Sequence, residues 1–487
     1  MNIGKAFRDS VSLYIGKLGG VVATLLFIPV FKKVLSPHDF GWVSLLISLQ
    51  MLIYVLDFGL SMHLSRLASR LAGKSKTLAH YNELVGLAKL SIRGFYYLLA
   101  VLFAVVTFLS ANQDFLVISG VFLLLGLQTE FNLWTQILIG FKKYQTSSYM
   151  QLFGTLLRGA LSVILLKNVV ASVPYFIIGQ VSALIIANIL CIYFLKKIDI
   201  YGSISTTVND VLIRRVPRKV KRWKLLLIRC WPLFASIVLG ALASQADRFF
   251  ITGFISPTVA GDYFLAVTYA MTPILLVAQP IFQYFQPSIV SAFKGPDFKL
   301  WLGRYVYSLH AVVFGALLGL VVLSPELFKL WLGKSDWETV IYTGHSLLIG
   351  TAAAAYSFVP YSLLLAQGGY KELHRISMVT VVVYVAMLFA AVHSGNMFYV
   401  VISFSCFHTM NYILQLFFTR KILMTDRKGL VVIFSSTVGT VALVLFAQRL
   451  AYLELQNKII LLAIVESVLM FIVLRWMLKA NRKVLRG

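Results

Sequence analysis

Acidic side chains are scarce in this chain, with 18 Asp and Glu against 44 Lys and Arg over 487 residues. Charge of either sign is thin as well, at 13% of positions, which is too little for a soluble globular domain. Cysteine is limited to Cys191, Cys230 and Cys406, each in or beside an apolar run and none with metal-ligand spacing, so neither a disulfide nor a structural metal is expected. No nucleophile and base cluster, phosphate loop or metal-ligand set occurs; the chain is not expected to be an enzyme, and no cofactor is implied. Missing too is the polar-in, apolar-out alternation of a membrane β-barrel, because the apolar runs are continuous and about 20 residues long.

What remains is apolar. Hydrophobic residues make up 59% of the chain and the mean hydropathy is +0.84. Helices are the way such runs satisfy their backbone in lipid, so the expected fold is an all-α polytopic membrane protein. Runs bounded by charge, Pro or Gly predict about fourteen spans. The first six start near Val11, Phe40, Asn82, Phe115, Ser147 and Val173; the next six start near Leu225, Thr258, Trp301, Val340, Ile376 and Met397; a last pair starts near Leu430 and Ile459. Lys5 and Arg8 precede the first run, which no small-residue cleavage site follows, so it is read as a retained helix.

With the N-terminus placed in the cytoplasm, 30 of the 44 cations fall on cytoplasmic segments and 7 on the opposite face. Positive charge is retained inside, so both termini are expected to be cytoplasmic. The net charge of +26 is spread over short loops and is not gathered on one domain, which argues against a nucleic-acid partner. Four segments are predicted: an N-terminal six-helix lobe over 1–200, a basic cytoplasmic linker over 201–223 containing RRVPRKVKRWK, a C-terminal six-helix lobe over 224–422, and a helix pair with a basic tail over 423–487. The linker suits anionic headgroups.

Two echoes point to a duplicated core. A shift of 220 positions lays Ser36-Pro37 and Gly41 over Ser256-Pro257 and Gly261, and a shift of 228 sets Gly140-Phe141-Lys142-Lys143 beside Gly368-Gly369-Tyr370-Lys371. Small-residue spacings Gly16 to Gly20 and Gly315 to Gly319 predict close helix approach.

Charges inside spans are expensive and mark candidate sites. Lys17 and Asp57 fall at similar depth in the first two spans and are a candidate pair. Glu130 and Arg158 fall near the middle of consecutive spans and form a second. For both couples, mutual neutralisation and a place on a transport route are open readings. In the run from Trp231 to Phe264, Asp247 is turned about 100 degrees from its neighbour Arg248 on a helix. Arg248 is therefore expected to face an aqueous cavity, where its planar fork suits phosphate; snorkelling to headgroups is the competing reading. Lys17, Arg158 and Arg248 are the candidate diphosphate-binding cations. Asp57, Glu130 and Asp247 are the candidates for ion coupling or charge pairing. His310, His345 and His408 also fall within spans, as packing or titrating groups.

The segments FIPVFKKVLSPHDFGWVSLLISL with Asp57-Phe58-Gly59-Leu60, ADRFFITGFISPTVAGDY and LLLAQGGYKEL resemble the polysaccharide flippases of the O-antigen (Wzx) type, in the multidrug/oligosaccharidyl-lipid/polysaccharide (MOP) superfamily. That resemblance implies two pseudo-symmetric six-helix lobes around a central cavity, plus a helix pair, in the inner membrane. It implies flipping of an undecaprenyl-diphosphate-linked oligosaccharide to the periplasmic leaflet by alternating access, a proton or sodium gradient as the drive, and other polysaccharide-assembly membrane proteins as neighbours. A lipid II flippase or a multidrug exporter of the same superfamily are the alternatives. A membrane polymerase or ligase fits less well, because the longest periplasmic segment, from Ser324 to Glu338, is short.

Overall fold

The computed structural model describes residues 19–197 and 239–462, except 21, 52–56, 58–59, 72–77, 111, 113, 142, 241–242, 294, 334–336, 425–426, 455, 459 and 461. Every regular element among the described residues is helical. Chain contacts divide into two units, Met1–Gln245 and Ala246–Gly487.

Unit 1 contains α1 (22–34), α2 (Pro37–Met51), α3 (Leu60–Leu71), α4 (Leu78–Ser110), α5 (Asp114–Gly140), α6 (Tyr144–Asn168) and α7 (Val173–Lys197). Its core lies among α3, α4, α5 and α7, around Tyr81, Tyr96, Trp134 and Leu184. The opposite face of α4 shows Leu98, Phe108 and Leu109 at 70%, 88% and 78% exposure, an apolar surface that only lipid makes affordable.

Unit 2 contains α8 (243–254), α9 (Pro257–Pro273), a π-helical turn (Ile274–Ala278), α10 (Gln279–Ala292), α11 (Phe298–Val322), α12 (Ser324–Leu332), α13 (Glu338–Tyr356), α14 (Phe358–Gln367), α15 (Tyr370–His393), α16 (Met397–Leu423), α17 (Arg427–Leu445) and α18 (Ala447–Ala451). The π turn lies between Pro273 and Pro280, where missing N–H donors interrupt the ladder.

Nine helical stretches among the described residues are long and apolar enough to cross a membrane, and they begin within a few residues of the expected third to sixth and eighth to twelfth spans. The thirteenth appears as the shorter apolar stretch Val431–Leu445. Those expected to start near Val11, Leu225 and Ile459 lie wholly or partly outside the described residues.

The duplicated Ser-Pro turns share one local structure. Ser36 Oγ accepts from the Asp39 N–H at 3.1 Å, and Ser256 Oγ accepts from the Val259 N–H at 3.2 Å. Each serine caps a helix whose first residue is proline, the residue that loses no hydrogen bond there. Hydroxyls deeper in the spans bond their own helix, as Thr129 does to Leu125 O at 2.7 Å and Thr351 to Leu347 O at 3.0 Å. In lipid that local bond avoids an orphan donor.

Of the glycines in the predicted spacings, Gly319 takes no part in a close approach. At Gly319 a methyl group would meet nothing within 4 Å, whereas at Gly140 it would lie 2.5 Å from Ser65 O. Gly16 lies outside the described residues. The crossing of α3 over the end of α5 sets the tight contact, and no repeat of small residues announces it.

Candidate functional site

Arg158 lies near the middle of α6, in a cavity of about 130 Å³ lined among others by Thr24, Gln50, Gln128, Thr155 and Gln180. Its guanidinium donates to Gln128 Oε1 at 2.5 Å, Gln50 Oε1 at 3.1 Å and Gly154 O at 3.3 Å. Gln180 closes the site from α7, donating to Ser162 Oγ at 3.0 Å. No carboxylate among the described residues pairs with Arg158. The cavity therefore has a full positive charge balanced by amide dipoles. The Gln50 Nε2 atom is buried there without a partner, a donor still seeking an acceptor.

The expected Glu130–Arg158 pair is not formed. Glu130 instead accepts from Arg93 Nη2 at 2.7 Å and Arg93 Nε at 3.0 Å, with Tyr97 Oη at 3.3 Å and Lys89 Nζ at 3.9 Å. Helix geometry gives the reason: Gln128 faces Arg158, and Glu130, two residues on, is turned about 200 degrees to the opposite side of α5. There it meets α4 in register. Glu130 lies 16 residues after the start of α5 and Arg93 lies 17 before the end of α4, so the hairpin places them side by side. Lys89 sits one turn below Arg93 and also lies over Trp134, 5.5 Å from the ring centroid.

Asp57 is 1% exposed and opens α3, where the Ser61 N–H and Asn132 Nδ2 each donate to its Oδ2 at 3.3 Å. Its expected partner, Lys17, lies outside the described residues.

In unit 2, Arg248 is 8% exposed, with its guanidinium 5.1 Å from the Phe264 ring centroid. The expectation that it faces an aqueous cavity is corrected accordingly: an aromatic ring covers it. The Ser256 turn explains this, since Arg248 lies eight residues before it and Phe264 eight after. Asp247, 1% exposed, accepts from the Arg248 backbone N–H at 2.8 Å and from Tyr263 Oη at 2.8 Å. Its carboxylate is thus bound to the neighbour's backbone, as the 100-degree separation of the two side chains requires. Tyr384 lies within electrostatic reach of both charges.

Under the shift of 228 that aligns the echoed glycine turns, Arg158 of α6 falls on Ala386 of α15. The first repeat thus carries a cation there that the second lacks.

The intramembrane histidines pack. His310 stacks on Tyr356 with centroids 4.5 Å apart and bonds Val306 O at 2.9 Å, and His345 meets Ser324 Oγ at 3.1 Å. His408 lies edge-on to Phe404 and Phe407. A pair that sequence reasoning missed joins Lys458, 2% exposed, to Glu326 at 2.7 Å. Lys458 is one of the seven cations expected on the face opposite the cytoplasm, where the segment 324–338 is also placed, and that shared face is the available signal.

A family model described as polysaccharide biosynthesis protein matches residues 6–292. A search of curated proteins finds no match. Among solved structures, the lipid II flippase MurJ in an inward closed conformation superposes with a TM-score of 0.68, covering 97% of this chain and 100% of that one at 12% identity. An inward-facing multidrug resistance MATE family transporter of the MOP superfamily superposes with a TM-score of 0.66, covering 85% and 98% at 13% identity. A MOP superfamily transporter from Pyrococcus furiosus gives 0.58, covering 86% and 96% at 15% identity. The fold is that of the MOP transporters.

Proposed function

Because this chain belongs to the polysaccharide biosynthesis protein family, we propose that it is a flippase for an undecaprenyl-diphosphate-linked oligosaccharide. Its cargo is an O-antigen or other surface-polysaccharide repeat unit, moved from the cytoplasmic to the periplasmic leaflet of the inner membrane. The asymmetry of 30 cations to 7 supports cytoplasmic termini. Alternating access between two six-helix lobes moves the sugars while the lipid tail stays in the bilayer, and a proton or sodium gradient drives the cycle.

One observation carries the reading: Arg158 is balanced by neutral oxygens, those of Gln50, Gln128 and the Gly154 carbonyl, and shares its cavity with an unsatisfied Gln50 donor. Diphosphate oxygens satisfy both, since hydrogen bonds from a guanidinium and an amide replace the hydration that lipid removes. Lys17 is assigned the same role; Arg248, covered by the Phe264 ring, is not. Glu130, gripped by Arg93 with Lys89 close by, serves charge pairing, while Asp57, bonded by Ser61 and Asn132, and Asp247, bonded by Tyr263, are the candidates for ion coupling.

Leaflet translocation of a fluorescent undecaprenyl-diphospho-oligosaccharide in proteoliposomes tests this, with Arg158→Gln beside the parent at equal insertion. The parent is expected to move the lipid and the variant to be slowed at least tenfold. A variant as fast as the parent removes Arg158 from the site. A parent that moves lipid II or exports a cationic drug, yet leaves this lipid in place, overturns the substrate assignment.

A further inference from the structure

A second cationic site lies at the end of unit 2 where its Lys and Arg gather. The α10–α11 turn, the end of α14 and the end of α16 enclose a cleft of about 770 Å³, lined by Phe293, Phe298, Lys299, Gln367, Lys421 and their neighbours. Lys299 and Lys421 are exposed, and neither makes an ion pair or hydrogen bond with another described residue. Asp297, the nearest acid in sequence, is not among the lining residues.

Lys299 is the second residue of α11. A cation there faces the positive end of the helix dipole, the arrangement that helices ordinarily avoid. Lys421 adds a second charge from the last turn of α16. Asp297, at the N-cap of α11, offsets part of that charge from outside the lining, and the positive potential the two lysines leave inside the cleft is relieved by an arriving anion. Its position says which anion. The four bordering helix ends belong to stretches long enough to cross a membrane, so the cleft opens at headgroup level. Aromatic and cationic side chains anchor that level: Phe293 and Phe298 meet edge to face with centroids 5.4 Å apart, Arg304 lies over Trp301 at 5.5 Å, and Arg420 lies over Phe417 at 4.3 Å.

We infer that this cleft binds the phosphodiester headgroup of an anionic membrane phospholipid through Lys299 and Lys421, with Gln367 as a neutral partner. The site depends on the membrane-crossing fold and not on the identity of the cargo.

Native mass spectrometry of the purified full chain, titrated with phosphatidylglycerol or phosphatidylcholine, tests it. One phosphatidylglycerol is expected to be retained at least tenfold more tightly than phosphatidylcholine. Lys299→Gln and Lys421→Gln should each weaken it about fivefold, while Lys32→Gln with Lys33→Gln, which removes two cations from the first repeat, should leave it unchanged. Retention of the lipid by the double Lys299/Lys421 variant overturns the inference, and so does an equal loss in the Lys32/Lys33 control. Displacement by millimolar inorganic phosphate would show a site for free ions instead. Should the double variant melt early, the parent decides alone: a preference for phosphatidylglycerol that does not fall with rising salt overturns the electrostatic site.

Discussion

Glu130 shares its one negative charge between two cations, and that sets how its neighbourhood responds to substitution. Its side chain is 2% exposed, Arg93 is 43% exposed and Lys89 is 15% exposed. Replacing Glu130 with Gln removes the carboxylate that both cations share, whereas Arg93→Gln leaves Lys89 to take over part of the pairing. Glu130→Gln is therefore expected to cost about 3 kcal/mol and Arg93→Gln distinctly less. Thermal unfolding in detergent checks the order, and Arg93→Gln as the more damaging change would refute this account of the cluster. Glycines supply a second contrast. Gly140→Ala places a methyl against the Ser65 carbonyl, which backbone cannot evade, and is expected to destabilise by about 1–3 kcal/mol. Gly94→Ala, in the interior of α4 with nothing within 4 Å, should instead stabilise, by up to about 1 kcal/mol of helix propensity. Equal melting temperatures for the two variants would contradict the packing described.

At the scale of helices, the sequence specified where spans begin but only partly which side chains meet. Hydropathy is a local sum, so spans expected near Asn82, Phe115, Val173 and Met397 appear at Tyr81, Asp114, Val173 and Met397. Partners depend on rotation about each helix and on register across each turn. Glu130 and Arg158 share a depth, yet Glu130 sits on the face of α5 turned away from Arg158 of α6. Counting residues outward from the turns would have found Arg93 for Glu130 and Phe264 for Arg248, because the α4–α5 and α8–α9 turns are short and fix the register. The same counting places Gln128 near Arg158. Lys458 with Glu326 was harder to reach, since 132 residues separate them and only a shared membrane face connects the two. Gly140 and Gly368 show a further limit: they align in the repeat, but the first permits close packing and the second adopts φ 75° to end α14.

For the molecule as a whole, duplication yields two units that start their second helices alike and diverge in chemistry. Ser36→Ala and Ser256→Ala should each cost about 1 kcal/mol, and the double variant should cost their sum within about 0.5 kcal/mol, because the caps belong to different units. Non-additive unfolding midpoints would show that the units do not respond separately. The divergence matters more. Arg158 offsets its charge with amides in the first unit, whereas Arg248 has Asp247 beside it in the second. A cation balanced only by dipoles feels the full electric field of an energised membrane, at about 2.3 kcal/mol per 100 mV for a complete crossing. Any displacement of α6 along the membrane normal during turnover is then electrical work. A potassium diffusion potential across proteoliposomes should alter the turnover rate of the parent, and Arg158→Gln should flatten that response. The two glutamine oxygens on Arg158 leave its guanidinium a net charge on which the field acts, whereas Arg248 and Asp247 together present none.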